Sequence, residues 1–310
     1  MTLRPMTAAE PRLSGIFVPI ITPMDEVGEL DLASLRQLAE RCLREGASGL
    51  VALGSTGEPA TLSTTERDAV VALLTEICQQ AGRRLIVGVG GNDTAATARE
   101  VERRSAAAGV DAILSVVPYY TRPSPTGIVE HFRTLAKSAQ TPLLLYNVPA
   151  RTGVRLSAER ALELAREQTI VGIKQSVGVL DEDTAWLLAN APRDFAVLAG
   201  DDFVLLPMLC AGASGGITAS AHLCTSKFVA LANAVFADRT EEARRQANEL
   251  ARLCGALFAE PNPSVLKGAL AARGEIGSAQ LRLPLVKASR SAVTSALEAL
   301  EAIEQLSVAA

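Results

Sequence analysis

The sequence predicts an α/β fold, a (β/α)8 TIM barrel with a C-terminal helical appendage. Three observations predict it. Short runs rich in Val, Ile and Leu alternate with amphipathic stretches, the pattern of repeated β-α units on a parallel sheet. Eight such runs occur, whereas an open doubly wound sheet usually has about five or six. The 310 residues are 48% hydrophobic and 21% charged, enough apolar material for one large domain or two smaller ones with an apolar core.

The runs are GIFVPIITP at 15–23, GLVALGS at 49–55, RLIVGVG at 84–90 and DAILSVVP at 111–118. PLLLYNVP at 142–149, IVGIKQS at 170–176, FAVLAGD at 195–201 and GASGGITAS at 212–220 complete the set. In the stretch after the first run, Leu32, Leu35, Leu38, Ala39 and Leu43 fall near one helical face, and Gly46 stops the helix. Asp31, Ser63, Thr94 and Ser157 stand where N-caps belong, and Glu66 completes a capping box with Ser63. After the eighth unit the pattern turns purely helical, at 240–258, 264–272 and 285–305. The domain boundaries that follow are a flexible leader at 1–13, the barrel at 14–238 and a helical region at 239–310. No long Gly/Ser linker precedes that region, so it is expected to pack on the barrel.

Thirty basic against thirty-four acidic residues leave a net charge of −4, and no basic stripe interleaved with aromatics is present. A nucleic-acid partner is therefore disfavoured, and a small-molecule partner is expected. No apolar run approaches the roughly 18 residues of a membrane helix, and the first dozen residues lack a secretory apolar core. A cytoplasmic location without membrane association is the expectation. Cys42, Cys78, Cys210, Cys224 and Cys254 are widely spaced and read as buried thiols. His131 and His222 have no ligand-spaced partners and read as surface or capping residues, so metal catalysis is not expected.

Lysine is scarce, with Lys137, Lys174, Lys227, Lys267 and Lys287 making the set. Four stand in helical or loop patterns, where solvent is the ordinary setting. Lys174 instead sits inside the sixth apolar run. Burial of an ammonium depresses its pKa and supplies the neutral amine that attacks a ketone. Two readings are open on position alone: a Schiff-base nucleophile, or a structural lysine paired to a carboxylate inside the barrel. After the second run, Gly54-Ser55-Thr56-Gly57-Glu58 offers hydroxyl and backbone donors to a carboxylate, though the composition is also that of an ordinary loop. Tyr146 ends the fifth run with Arg151 five residues on, while Tyr119 and Tyr120 follow the fourth. In a barrel of this kind the strand ends form the active face, and all three tyrosines of the chain gather there.

GSTGE (54–58), PYYTRP (118–123), YNVPARTG (146–153), GIK (172–174), AGDD (199–202), GGITAS (215–220) and EPNP (260–263) together resemble the dihydrodipicolinate synthase and N-acetylneuraminate lyase family of class I aldolases. The resemblance runs from about residue 14 to 300. It implies that Lys174 forms a Schiff base with pyruvate or another 2-keto acid. It also implies that Ser55 and Thr56 hold the carboxylate, that Tyr146 shuttles protons, and that Tyr120 completes the relay from a neighbouring subunit. Gly200 and Ile217 match positions whose backbone lines the pocket. An iminium withdraws electrons strongly enough to acidify the pyruvate methyl, so the resemblance implies no metal or cofactor. The assembly it implies is a homodimer or homotetramer.

Arg151 matches the arginine with which synthases receive the carboxylate of aspartate semialdehyde, and this favours a synthase. Two positions depart from that pattern. Ser55 stands where synthases usually carry Thr, and Gln175-Ser176 follows the lysine where Glu-Ala is common. Condensation of pyruvate with aspartate semialdehyde is thus the leading expectation. A related aldolase or dehydratase acting on N-acetylneuraminate or a sugar-derived keto acid is the alternative, and a catalytically idle metabolite-binding barrel the third reading.

Overall fold

The computed structural model describes residues 13–308, so the leader expected at 1–13 lies almost wholly outside the described residues. The strands are β1 (Gly15–Pro19), β2 (Gly49–Ala52), β3 (Arg84–Gly88), β4 (Ala112–Val116), β5 (Leu143–Asn147), β6 (Ile170–Gln175), β7 (Ala196–Ala199) and β8 (Gly215–Ile217). They follow sheet order β1 through β8 in a closed barrel, as the alternating pattern predicts. Each strand is shorter than its apolar run, because residues at the end of the run, and in β8 also the first three, lie outside the ladder in the flanking loops. The helices are α1 (Leu32–Arg44), α2 (Thr64–Ala81), α3 (Thr94–Ser105), α4 (Pro125–Ser138), α5 (Pro149–Thr152) and α6 (Ala158–Leu164). They continue as α7 (Glu182–Asn190), α8 (Leu205–Cys210), α9 (Ala221–Phe236), α10 (Thr240–Leu257), α11 (Ser264–Ala272) and α12 (Arg290–Val308).

Contacts divide the described chain into two compact units, one built on Arg84–Ile217 and the other on Ile16–Arg83 with the chain from Thr218 onward. In the first unit β3 to β8 pair in parallel, and Val116, Tyr146, Lys174 and Leu198 are successive register partners across β4, β5, β6 and β7. In a parallel ladder partners share a face, so Tyr146 and Lys174 face the same way near the strand ends. Gly172 permits the β6–β7 approach, since a Cβ there would stand 2.4 Å from the Ala196 carbonyl oxygen. Ser157 caps α6 as expected, accepting from the Arg160 N–H. The cap of α3 is Asp93, not Thr94: its carboxylate accepts from the Ala95 and Ala96 N–H groups. Thr94 enters the first turn, where its hydroxyl meets His131 Nδ1 at 2.9 Å. His131 is buried rather than exposed, and burial holds its pKa down to about 4.

In the second unit β1 pairs with β2, and α1 buries Leu35, Leu38, Ala39, Cys42 and Leu43. Leu32, expected on that face, is 38% exposed because it opens the helix. Asp31 caps α1, and Ser63 with Glu66 forms the full capping box of α2. The C-terminal helices pack among themselves, α10 against α9 and α12, and α11 against α12. Helix α12 begins at Arg290 rather than 285, with the Ser289 hydroxyl accepting from the Ala292 N–H at its start. His222 is also buried: its Nε2 accepts from the Ile21 N–H at 3.0 Å, and Nδ1 lies 2.7 Å from the Ala219 carbonyl oxygen. That geometry requires a neutral ring, and burial lowers its pKa to about 4. Of the five cysteines expected to be buried, Cys210 is exposed at the end of α8. No helix among the described residues is long and apolar enough to cross a membrane.

Candidate active site

Lys174 is 7% exposed in β6, and its Nζ lies 4.5 Å from the centroid of the Tyr146 ring. The aromatic face and the ammonium attract one another, which fixes the lysine at the strand end. Gly200, directly after β7, makes room for this arrangement. A Cβ at that position would approach Lys174 Cγ and Cε to 3.0 Å and Ser176 Oγ to 1.9 Å. Tyr146 is itself 7% exposed. Behind it Asn147 secures the β5–β6 corner, donating to the Leu156 carbonyl and to Gln175 Oε1 and accepting from the Leu156 N–H. Gln175 in turn donates to the Thr184 hydroxyl at 3.1 Å. The departure from the synthase pattern at 175 is therefore absorbed into the scaffold.

Arg151 stands exposed in α5, and Ile217 is buried at the end of β8. Tyr120 points into solvent, 88% exposed, with φ of 64° in the left-handed region. A non-glycine residue pays a steric penalty there and needs a reason to stay. Tyr119 beside it is tied down, its N–H donating to Asn92 Oδ1. In this unit the structure brings Lys174, Tyr146 and Gly200 together and leaves Tyr120 reaching outward.

Ser55 and Thr56 belong to the other unit, in a single 3-10 turn at Ser55–Gly57 following β2. Thr56 is buried and Ser55 half-buried. Thr56 Oγ1 accepts from Asn262 Nδ2 at 2.9 Å, and Thr22 donates to the Gly57 carbonyl at 2.8 Å. The turn is bracketed by two non-glycine residues in the left-handed region, Leu53 and Glu58, each with φ of 54°. Glu58 is buried and meets Lys267 Nζ at 2.5 Å. Lys267, expected in solvent with three other lysines, is instead fully buried in α11. It also donates to the Gln280 carbonyl, and burial lowers its pKa against the pull of Glu58. Lys137 and Lys287 are exposed, and Lys227 pairs with Glu249.

Two further groups stand beside Lys174, Asp201 from the AGDD motif and Ser176 from the Gln175-Ser176 departure, and neither is assigned a site role by the sequence. Burial raises the Asp201 carboxyl pKa, against the Gly178 N–H and the positive charges of Lys174 and Arg151. The Ser176 hydroxyl is buried without a hydrogen-bond partner. Asp201 lies within the AGDD motif and Ser176 just after GIK, but neither motif states which side chain turns inward.

A buried lysine near the C-terminal end of a barrel strand, stacked on a tyrosine of the adjacent strand, suits a lyase of the class I aldolase type. The sequence matches the Dihydrodipicolinate synthetase family over residues 12–303, and the chain belongs to that family. It is 41% identical over 296 residues to 4-hydroxy-tetrahydrodipicolinate synthase of Porphyromonas gingivalis, covering 95% of this chain and 98% of that protein. The dihydrodipicolinate synthase of Thermotoga maritima superposes with a TM-score of 0.91 at 32% identity, covering 95% of this chain and 99% of that one. The Acinetobacter baumannii enzyme, solved in complex with pyruvate, gives a TM-score of 0.90 at 33% identity over 94% and 99% of the two chains.

Proposed function

We propose that the protein is a 4-hydroxy-tetrahydrodipicolinate synthase, condensing pyruvate with aspartate semialdehyde in lysine biosynthesis. The observation that carries this reading is the buried Lys174 set against Tyr146, in a chain whose relatives bear that activity in their names. Lys174 adds to the C2 carbonyl of pyruvate, and loss of water gives an iminium. Proton transfer through Tyr146 then converts the methyl group to an enamine. The enamine carbon attacks the aldehyde, whose carboxylate end Arg151 receives. The amino group of the second substrate displaces Lys174 as the product ring closes.

Ser55 and Thr56 supply the hydroxyl donors for the pyruvate carboxylate, and Gly200 and Ile217 contribute backbone to the pocket. Tyr120, held in a strained left-handed conformation and almost wholly exposed, completes the relay in the neighbouring subunit of a homodimer or homotetramer. The enzyme works in the cytoplasm. Borohydride reduction in the presence of pyruvate is the direct test. Mass spectrometry should find one reduced pyruvyl group at Lys174, and none after Lys174→Ala. A coupled assay with aspartate semialdehyde then identifies the second substrate.

One observation favours a second reading within the same chemistry. The buried, unpartnered Ser176 hydroxyl beside Lys174 could receive a hydroxyl of a sugar-derived keto acid. Greater kcat/KM for such an acid than for aspartate semialdehyde plus pyruvate would establish it.

A further inference from the structure

The function just described leaves a buried ion pair unused. Glu58 and Lys267 meet at 2.5 Å with side-chain exposures of 1% and 0%. Such a pair loses much of its Coulombic gain to desolvation, so its presence is weak evidence for a stabilising role. Its location is informative. Glu58 immediately follows the turn that carries Ser55 and Thr56, and it is itself held at φ of 54°. Five residues before Lys267, Asn262 reaches the same turn, its amide donating to Thr56 Oγ1. The segment around the start of α11 thus grips the turn at two points, on the hydroxyl itself and on the residue that closes it.

The direction of the Asn262 bond matters for chemistry. A hydroxyl whose oxygen already accepts from an amide keeps its own hydrogen free to donate elsewhere. A carboxylate needs donors. We propose that Asn262 and Lys267 are positioning residues for keto-acid binding: Asn262 presents Thr56 as a donor, and the Lys267–Glu58 pair holds the strained turn in the conformation that binds the carboxylate. This rests on the assignment of Ser55 and Thr56 to the pyruvate carboxylate made above. Strain of this kind persists only where the surroundings over-determine it, and here, beside the Thr22 bond to the Gly57 carbonyl, two restraints come from the C-terminal helical region.

The test compares Asn262→Asp and Lys267→Met with the unaltered enzyme. An aspartate at 262 accepts rather than donates, turning the Thr56 hydrogen away from the substrate and adding a like charge. The KM for pyruvate should rise at least about tenfold, the worth of one hydrogen bond to a charged group. The KM for the second substrate should stay within about threefold, a split that a general loss of structure would not produce. Asn262→Gln, which keeps the donor, should bind pyruvate more tightly than Asn262→Asp. Lys267→Met should show the same pyruvate-selective defect, and if it fails to fold, the half-buried position 262 carries the test alone. Unchanged pyruvate KM in Asn262→Asp, or equal loss for both substrates, overturns the proposal. Borohydride trapping of the unaltered enzyme is run alongside. Absence of a pyruvate adduct there defeats the synthase reading itself, whereas a normal adduct with normal variants defeats only the positioning role.

Discussion

Tyr146 and Lys174 are register partners on adjacent parallel strands, and the lysine Nζ lies 4.5 Å from the centre of the tyrosine ring. The ring packs against the lysine, so the proton transfer proposed for the hydroxyl can be tested apart from that packing. Tyr146→Phe keeps the ring, so the reduced pyruvate adduct should still form at Lys174. Turnover should fall by about 10²- to 10⁴-fold, the usual contribution of general acid–base catalysis. Near-normal kcat in the Phe variant would remove Tyr146 from the proton path.

Gly200 leaves the space into which Lys174 and Ser176 fit. Gly200→Ala would place a methyl 1.9 Å from Ser176 Oγ and 3.0 Å from two carbons of Lys174, and adduct formation should slow by about tenfold or more. Adding Ser176→Ala removes the closest obstruction and should recover part of the rate. A Gly200→Ala enzyme that is trapped as quickly as the parent would show that the loop yields freely.

Arg151 is exposed in its short helix, free to meet a substrate anion. Arg151→Ala should raise the KM for aspartate semialdehyde by about ten- to a hundredfold, as expected for losing a charged hydrogen bond. Pyruvate trapping should be unaffected. Unchanged use of aspartate semialdehyde would shift the assignment toward a sugar-acid substrate.

Acid should destabilise the protein in two stages. His222 and His131 are each held near a pKa of about 4 against 6.5 for a free imidazole, mainly by burial. The unfolded chain takes up these protons first, so their contribution is intact above about 6.5 and lost as pH falls toward 4. The slope is at most about 1.4 kcal/mol per pH unit for each ring. Below that, Glu66, lowered to about 2 chiefly by its hydrogen bond from Arg282, loses its contribution between its ordinary 4.5 and 2. Urea unfolding at a series of pH values measures this, and His131→Gln should flatten the upper stage. Constant stability from pH 7 to 5 would contradict the neutral buried rings.

Tyr120 supplies a test of assembly. Tyr120→Phe and Lys174→Ala should each be inactive, and mixing them after subunit exchange should restore turnover, because a hybrid contains one intact site. No recovery after verified exchange would confine Tyr120 to its own subunit.

The barrel and its central lysine are legible in sequence because a charge inside an apolar strand run violates a short-range pattern. Lys267 violates the same kind of pattern, lying in SVLKGALAA, yet it reads as solvent-facing. Helical periodicity tolerates one polar residue per turn, and its partner Glu58 lies in a distant part of the chain. His222 misleads for a related reason: a neutral ring with both nitrogens engaged is compatible with burial, and its partners are backbone groups that no side-chain pattern records. The α3 cap is displaced by one residue from its expected place, since Asp93 and Thr94 are both good caps and only geometry decides between them.

The bond from Asn262 to Thr56 joins groups 206 residues apart in sequence, and this bears on when activity can arise during synthesis. A ribosome that has released all eight strands has not yet delivered Asn262, Lys267 or Arg282. The nascent polypeptide would carry Lys174, the proposed nucleophile, long before the loop after β2 acquires the restraints that these three residues supply. Maturation of the proposed keto-acid site would then be among the last events in the birth of the molecule, keeping a half-made chain from binding pyruvate productively while still tethered.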